Sequence, residues 1–277
     1  MQVQHPFRLM QGTSFKTWFK VTLVSVFAVL LSACSDSENA PFAGFPQAQG
    51  GWKTWHRVLH NEAFSVGYSD IRLNPLWVSY QLQPLEERRS MPRPSQFETD
   101  WRVPWLEHED YTRSGYDRGH MAPNHAIAQL YGRKAQLETF WMTNISPQSP
   151  KLNRGIWRRL EEAALDHFAP LHRQIWVITG PIFGSGFHFL DTSWVQVPEA
   201  FYKIFIVPSQ GKQPPHLLAF MIPQEVTGKE KLADFVVNID TLETLTGLDF
   251  LTELPDTLEE NLERQIDTRS WQIAKLK

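Results

Sequence analysis

Residues 64–82 alternate apolar and polar positions, Phe-Ser-Val-Gly-Tyr and then Trp77-Val78-Ser79-Tyr80-Gln81-Leu82, with Asn74-Pro75 between the two runs. A period of two broken by turn residues predicts a pair of antiparallel strands. The Pro- and Arg-rich residues 83–105 read as a long ordered loop, a length that usually carries function. Helical spacing runs over 126–139 and more clearly over 153–168, where Ile156, Trp157, Leu160, Ala164 and Phe168 recur at spacings of three and four. Pro170 is expected to stop that helix. Residues 174–179 form a short apolar run, a buried strand ended by Gly180-Pro181. Residues 201–207 and 217–222 are two further apolar runs joined by a polar loop, which predicts a hairpin. Residues 232–237 and 258–266 read as helices, the second from Leu258, Leu262 and Ile266 at i, i+4 and i+8. Antiparallel strands interleaved irregularly with helices predict an α+β fold rather than a parallel βαβ array.

The first 33 residues stand apart. They contain Arg8, Lys16 and Lys20 with no acidic side chain, then an apolar run from Val21 to Leu31 that ends Leu31-Ser32-Ala33-Cys34. A basic start, a short apolar stretch and small residues before a cut describe an export signal, whereas a membrane span needs about 20 apolar residues. The small residues leading into Cys34, the only cysteine of the chain, are similar to the bacterial lipoprotein box. That likeness implies a signal peptide over 1–33 and a diacylglycerol on the Cys34 thiol. Ser35 in place of an Asp points to outer-membrane anchoring, periplasmic or surface-facing. Residues 34–50 are small, polar and Pro/Gly-bearing and read as a flexible tether. Residues 51–277 show no internal linker and read as one domain that stands without disulfides.

Composition adds little until charge is divided along the chain. At 42 % hydrophobic and 13 % aromatic, the 277 residues can bury a sizeable core, which excludes a disordered chain. Without residues 1–33 the chain holds 24 basic and 30 acidic side chains, a net of −6. Residues 111–159 hold eight basic side chains and two acidic ones, so a +6 island sits in a body of −12. Such an island can focus field on a polyanion.

The island also carries side chains suited to attack on a phosphodiester. That reaction needs a nucleophile made from water, a cation, and positive charge fixed against the phosphate oxygens. His120 can take a proton from water near neutrality, and Arg118 can hold phosphate oxygens in a fork. The Asn153 amide oxygen can anchor an Mg²⁺-type ion that keeps most of its waters. In an unbroken helix Glu161 lies about 12 Å beyond Asn153 and about 80° past two full turns, better placed to hold water on the ion than to ligate it. Taken singly, Asn153 is also a natural helix N-cap and Glu161 a solvated helix face. His125 follows His120 by five residues with Pro123 between, which does not match the i, i+4 spacing of a helical zinc pair.

The order of these pieces is specific. Asp117-Arg-Gly-His-Met-Ala-Pro123, Thr143-Asn-Ile-Ser-Pro-Gln148, Leu152-Asn153, Trp157 and Leu160-Glu161 together closely resemble the DNA/RNA non-specific endonuclease family. Those are ββα-metal (His-Me finger) enzymes and include mitochondrial endonuclease G, and the likeness implies a central antiparallel β-sheet flanked by helices with that finger as the active-site motif. The likeness extends over roughly residues 55–255, through Val66-Gly-Tyr-Ser, Arg93 with Phe97 and Asp100, Thr179-Gly-Pro-Ile-Phe183 and Val197-Pro-Glu-Ala-Phe-Tyr-Lys203. It implies His120 as general base, Asn153 as direct ligand of Mg²⁺ (Mn²⁺ or another divalent cation in its place), and Glu161 as the group that orients metal-bound water. It implies Arg118 and Arg93 on the phosphate, with Asn144 and Asp117 in support. Arg88 and Arg89 lie near Arg93, which leaves the upstream arginine open.

The expectation is a metal-dependent, sugar-nonspecific endonuclease that leaves 5′-phosphate and 3′-hydroxyl ends on DNA and RNA, held to a membrane through Cys34. The alternative is a non-catalytic envelope lipoprotein that keeps the fold and binds nucleic acid. Oligomeric state, a homodimer included, is left open.

Overall fold

A computed structural model describes Met1, residues 41–211 and residues 213–276; the expected signal peptide and Cys34 lie outside the described residues. In chain order the strands are β1 (Gln47–Ala48), β2 (Arg57–His60), β3 (Phe64–Ser69), β4 (Asn74–Leu82), β5 (Asp117–His120), β6 (Ile145–Gln148), β7 (Ile175–Ile182), β8 (Ala200–Val207), β9 (His216–Pro223), β10 (Val236–Val237) and β11 (Leu248–Asp249). Seven of them lie side by side in the order β10-β9-β8-β7-β4-β3-β2, every pairing antiparallel. β5 pairs with β6 and β1 with β11, both antiparallel. The α+β expectation holds.

β8 shows how the sheet divides the molecule. All its residues are buried. Phe201 and Phe205 join a core with Trp157, Leu160 and Phe168, while Tyr202, Ile204 and Ile206 join another with Trp77, Ile178 and Leu242. Strand alternation therefore turns Lys203 toward the first core, on the face covered by the helix that carries Trp157.

Several boundaries differ from the pattern-based expectation, for backbone reasons. Asn74-Pro75 lies inside β4, and the reversal falls at 70–73, with Leu73 at φ 51°. Pro75 is tolerated because β7 pairs with β4 only from Val78 onward, so β4 has one neighbour there. Gly180-Pro181 likewise continues β7 beyond Thr179, the last β7 residue paired with β4. The helical stretch expected over 126–139 is two helices, Asn124–Tyr131 and Arg133–Glu138, parted by Gly132 at φ 85°. Pro170 does not stop its helix, which runs through four segments from Leu152 to His172. A wide turn at Ala164–Phe168 precedes Pro170, which then sits in the first turn of the last segment, where its missing N–H costs little. Residues 232–237 are one short 3₁₀ turn followed by the edge strand β10, and the helix near the C-terminus spans Asp256–Glu263. A helix at Ile239–Thr246 was not foreseen.

Residues 41–48, expected to be part of a flexible tether, pack into the domain. Ala43 is buried, Phe45 stacks on Trp77 with centroids 5.1 Å apart, and β1 pairs with β11. Pro and Gly raised the expectation of coil; two phenylalanines and a strand partner overrode it. Residues 39–277 form one compact unit. Among the described residues no helix is long and apolar enough to cross a membrane.

Candidate active site

β5, β6 and the helix beginning at Leu152 make a ribbon-and-helix finger. Asp117 pairs with Gln148, Arg118 with Pro147, Gly119 with Ser146 and His120 with Ile145. Alternation sends Arg118 and His120 to one face, into a cleft of about 510 Å³ also lined by Arg93, Asn153, Glu161 and Arg88. Gly119 points the other way, where a Cβ would stand 2.3 Å from the Gln148 Oε1. The glycine of the motif thus leaves room for the Gln148 side chain.

The His120 ring packs against Phe97 and Phe140, with centroids 5.3 and 4.8 Å away. Its Nε2 is buried and has no hydrogen-bond partner. Burial, and then the Arg93 charge, lower its pKa to about 3, so the imidazole is neutral near pH 7. The backbone leaving His120 is stapled by Asn144. Its Oδ1 accepts from the Ala122 N–H at 2.8 Å, and its Nδ2 donates to the Ala122 and Thr139 carbonyls at 3.0 and 2.9 Å.

Asp117 governs the Asn153 amide. Its Oδ2 accepts from Asn153 Nδ2 at 2.9 Å, which leaves the Asn153 Oδ1 for the cleft. Asp117 also accepts from Arg154 Nε and Nη2 at 2.7 and 2.5 Å. Burial raises the Asp117 pKa, but the bonds from Arg154 and Asn153 outweigh it and the net shift is downward. Asp117 is therefore a half-buried, ion-paired support of the Asn153 amide.

Glu161 reaches the same cleft because the helix is not regular. Leu152–Trp157 is a wide turn containing Gly155 outside helical geometry at φ −103°, ψ −107°. There the helix presses on another loop, and a Cβ on Gly155 would stand 2.8 Å from the Gly228 Cα. The kink at Gly155 breaks the regular advance per residue, so the offset of about 80° expected of an unbroken helix does not carry over from Asn153 to Glu161. The Glu161 Oε1 is buried without a hydrogen bond, 3.9 Å from the Lys203 Nζ. Burial raises the Glu161 pKa against the opposing Lys203 charge, and burial lowers that of Lys203 against Glu161.

Lys203 is the residue that sequence reasoning missed. It is 0 % exposed, donates to the Tyr80 hydroxyl at 3.3 Å, and lies 4.4 Å over the Trp157 ring. Its signal was a lone charge inside the apolar run Ala-Phe-Tyr-Lys-Ile-Phe-Ile-Val. A lysine there needs a reason, since an unpaired buried charge is costly.

Of the arginines, Arg93 lies over Phe140 at 4.9 Å, between the fields of His120 and Glu161, while Arg89 uses its backbone to pair with Gln129. Arg88, Arg154 and Arg158 also line the cleft but are ion-paired with Asp166, Asp117 and Glu162. Arg118 donates from Nε to the His108 carbonyl at 3.2 Å and from Nη2 to Thr112 Oγ1 at 3.0 Å. Arg93 and Arg118 have no ion pair among the described residues, so their charge is the part left for an anion. The donors suit a hard divalent cation: an amide oxygen held in orientation, beside a buried carboxylate oxygen that accepts no hydrogen bond.

A neutral imidazole on a two-stranded ribbon, with its amide counterpart on the following helix, is the arrangement of the ββα-metal nucleases. Residues 48–257 match the DNA/RNA non-specific endonuclease family, and the chain belongs to it. The mitochondrial nuclease of Saccharomyces cerevisiae is 28 % identical over 76 % of this chain and 70 % of its own length. Endonuclease G of Bos taurus is 30 % identical over 78 % and 77 %, and nuclease EXOG of Homo sapiens 35 % over 54 % and 43 %. The crystal structure of the EndoG/EndoGI complex superposes with a TM-score of 0.67 at 24 % identity, over 78 % of this chain and 91 % of that one, which shows the shared fold.

Proposed function

We infer that this chain is a metal-dependent, sugar-nonspecific endonuclease that hydrolyses DNA and RNA to 5′-phosphate and 3′-hydroxyl ends. The observation that carries the reading is a neutral His120 facing the same cleft as an Asn153 whose amide is held by Asp117. His120 takes the proton of the attacking water: its imidazole is neutral near pH 7 and its Nε2 has no hydrogen-bond partner to compete. Arg118 and Arg93 hold the phosphate, and Glu161 orients the water. Lys203 acts through Glu161 as a positioning residue that keeps the carboxylate ionised. The Asn153 Oδ1 would hold Mg²⁺, or Mn²⁺ or another divalent cation in its place, and that ion would supply Lewis acidity to the phosphate oxygens.

The test is cleavage of supercoiled plasmid and of RNA in parallel, with Mg²⁺ or with EDTA, by wild type and His120→Ala. Both substrates should be cut only with metal, and His120→Ala should be slower by about 10²–10⁴-fold. Salt-sensitive binding without cleavage would instead support the non-catalytic envelope protein, which the basic rim of the cleft motivates.

The reading includes export and a lipid on Cys34, supported by the residues before it. Labelled palmitate should enter the wild-type chain and not Cys34→Ala, and the variant should leave the membrane fraction. Equal membrane association of both would refute the anchor.

A further inference from the structure

Away from the cleft, the last two helices turn five carboxylates toward one another. Asp240 and Glu243 lie on the helix Ile239–Thr246, Asp249 on β11, and Glu259 and Glu263 on the helix Asp256–Glu263. Their oxygens make two overlapping triads, Asp240–Glu243–Glu263 and Asp249–Glu259–Glu263, each with its ligand atoms within 4.8 Å of one another. Glu263 belongs to both. It is 7 % exposed, and its buried Oε1 has no hydrogen-bond partner.

Among the described residues no basic side chain pairs with this charge, and Arg264, adjacent in sequence, pairs with Glu260. The Glu243 Oε1 accepts one backbone N–H, from Phe250 at 2.8 Å. Burial and then the surrounding acids raise the pKa of Glu263, and burial with Asp249 and Asp240 raises that of Glu243. Two things relieve such crowding: a proton shared between Glu243 and Glu263, or a cation.

We propose that the Asp240–Glu243–Asp249–Glu259–Glu263 cluster is a second cation site, separate from the catalytic cleft, and that it takes Ca²⁺. The donors are all carboxylate oxygens, and they come from two helices and a strand. Ca²⁺ accepts many oxygens in irregular geometry, whereas Mg²⁺ demands a tight octahedron and favours fewer protein ligands. The ion ties the two helices to β11. Because β11 pairs with β1, it also fastens the start of the domain, where the chain arrives from Cys34.

The experiment uses residues 39–277 carrying Asn153→Ala, so that the catalytic site does not report. Thermal unfolding and calorimetric titration are followed with Ca²⁺, with Mg²⁺ and with EDTA. Saturating Ca²⁺ should raise Tm by about 5 °C and Mg²⁺ by clearly less. Adding Glu263→Gln should abolish the Ca²⁺ response, yet in EDTA that variant should melt no lower than its parent, since it removes repulsion. A parent that ignores Ca²⁺ refutes the site and leaves the shared proton. A Ca²⁺ response that survives Glu263→Gln also refutes it, by placing the ion elsewhere.

Discussion

Replacing Lys203 by Met tests the coupling between the sheet and the catalytic helix. The substitution keeps length and apolar bulk beneath Trp157 but removes the charge 3.9 Å from the Glu161 Oε1. At that separation and an effective dielectric of 20, the attraction is about 4 kcal/mol, or about 3 pKa units on Glu161. The Glu161 side chain is 22 % exposed, so a rise of about 2 units is the working figure. Burial already lifts the Glu161 pKa and Lys203 opposes the lift, so the shift on losing Lys203 is upward. In the variant Glu161 is protonated near neutrality. Plasmid cleavage at saturating Mg²⁺ should fall about 10–100-fold at about pH 7 and recover toward wild type near pH 9. A combined Lys203→Met, Glu161→Gln enzyme should lose little beyond Glu161→Gln alone, because both changes remove one interaction. A uniform loss from about pH 6 to about pH 9, with an unchanged melting curve, would refute the electrostatic argument and leave Lys203 as packing.

Three further outcomes follow from the site and the core. Asp117→Ala frees the Asn153 amide, so the Mg²⁺ concentration for half-maximal rate should rise about 10–100-fold with a much smaller change in kcat; an unchanged metal requirement would contradict the orienting role. Gly119→Ala forces a Cβ to within 2.3 Å of Gln148 Oε1 and should cost about 1–3 kcal/mol in urea unfolding, whereas an unaltered midpoint would show that Gln148 can move. His172, against Trp271 and His216, has its pKa lowered to about 4 by burial and then by His216. The unfolded chain binds that proton first, so the contribution of His172 is present above about pH 6.5 and is lost as pH falls toward 4; His172→Gln should flatten this slope in urea titrations, and an identical slope would refute it.

The sequence by itself determined the class of fold and the main members of the site. Alternation in 64–82 and the apolar runs at 201–207 and 217–222 depend on each residue's own preference for water, so strands of the central sheet were legible in outline. His120, Arg118, Asn153 and Glu161 stood out because a motif records residue types at fixed separations, and all four line one cleft. Tertiary structure decided the rest. Pro75 and Pro181 could stay in strands only because the pairing between β4 and β7 stops at Val78 and Thr179, short of both. Residues 41–48 became part of the domain through Trp77 and β11, partners far along the chain. Whether Glu161 shared a face with Asn153 depended on the distorted turn at Gly155, set by contact with Gly228. Lys203 gained its place only when β8 was laid beneath the helix of Trp157 and Glu161. Local pattern carries the preference of a residue for strand, helix or water; the charge or backbone it meets across the core is set by the packing of distant segments.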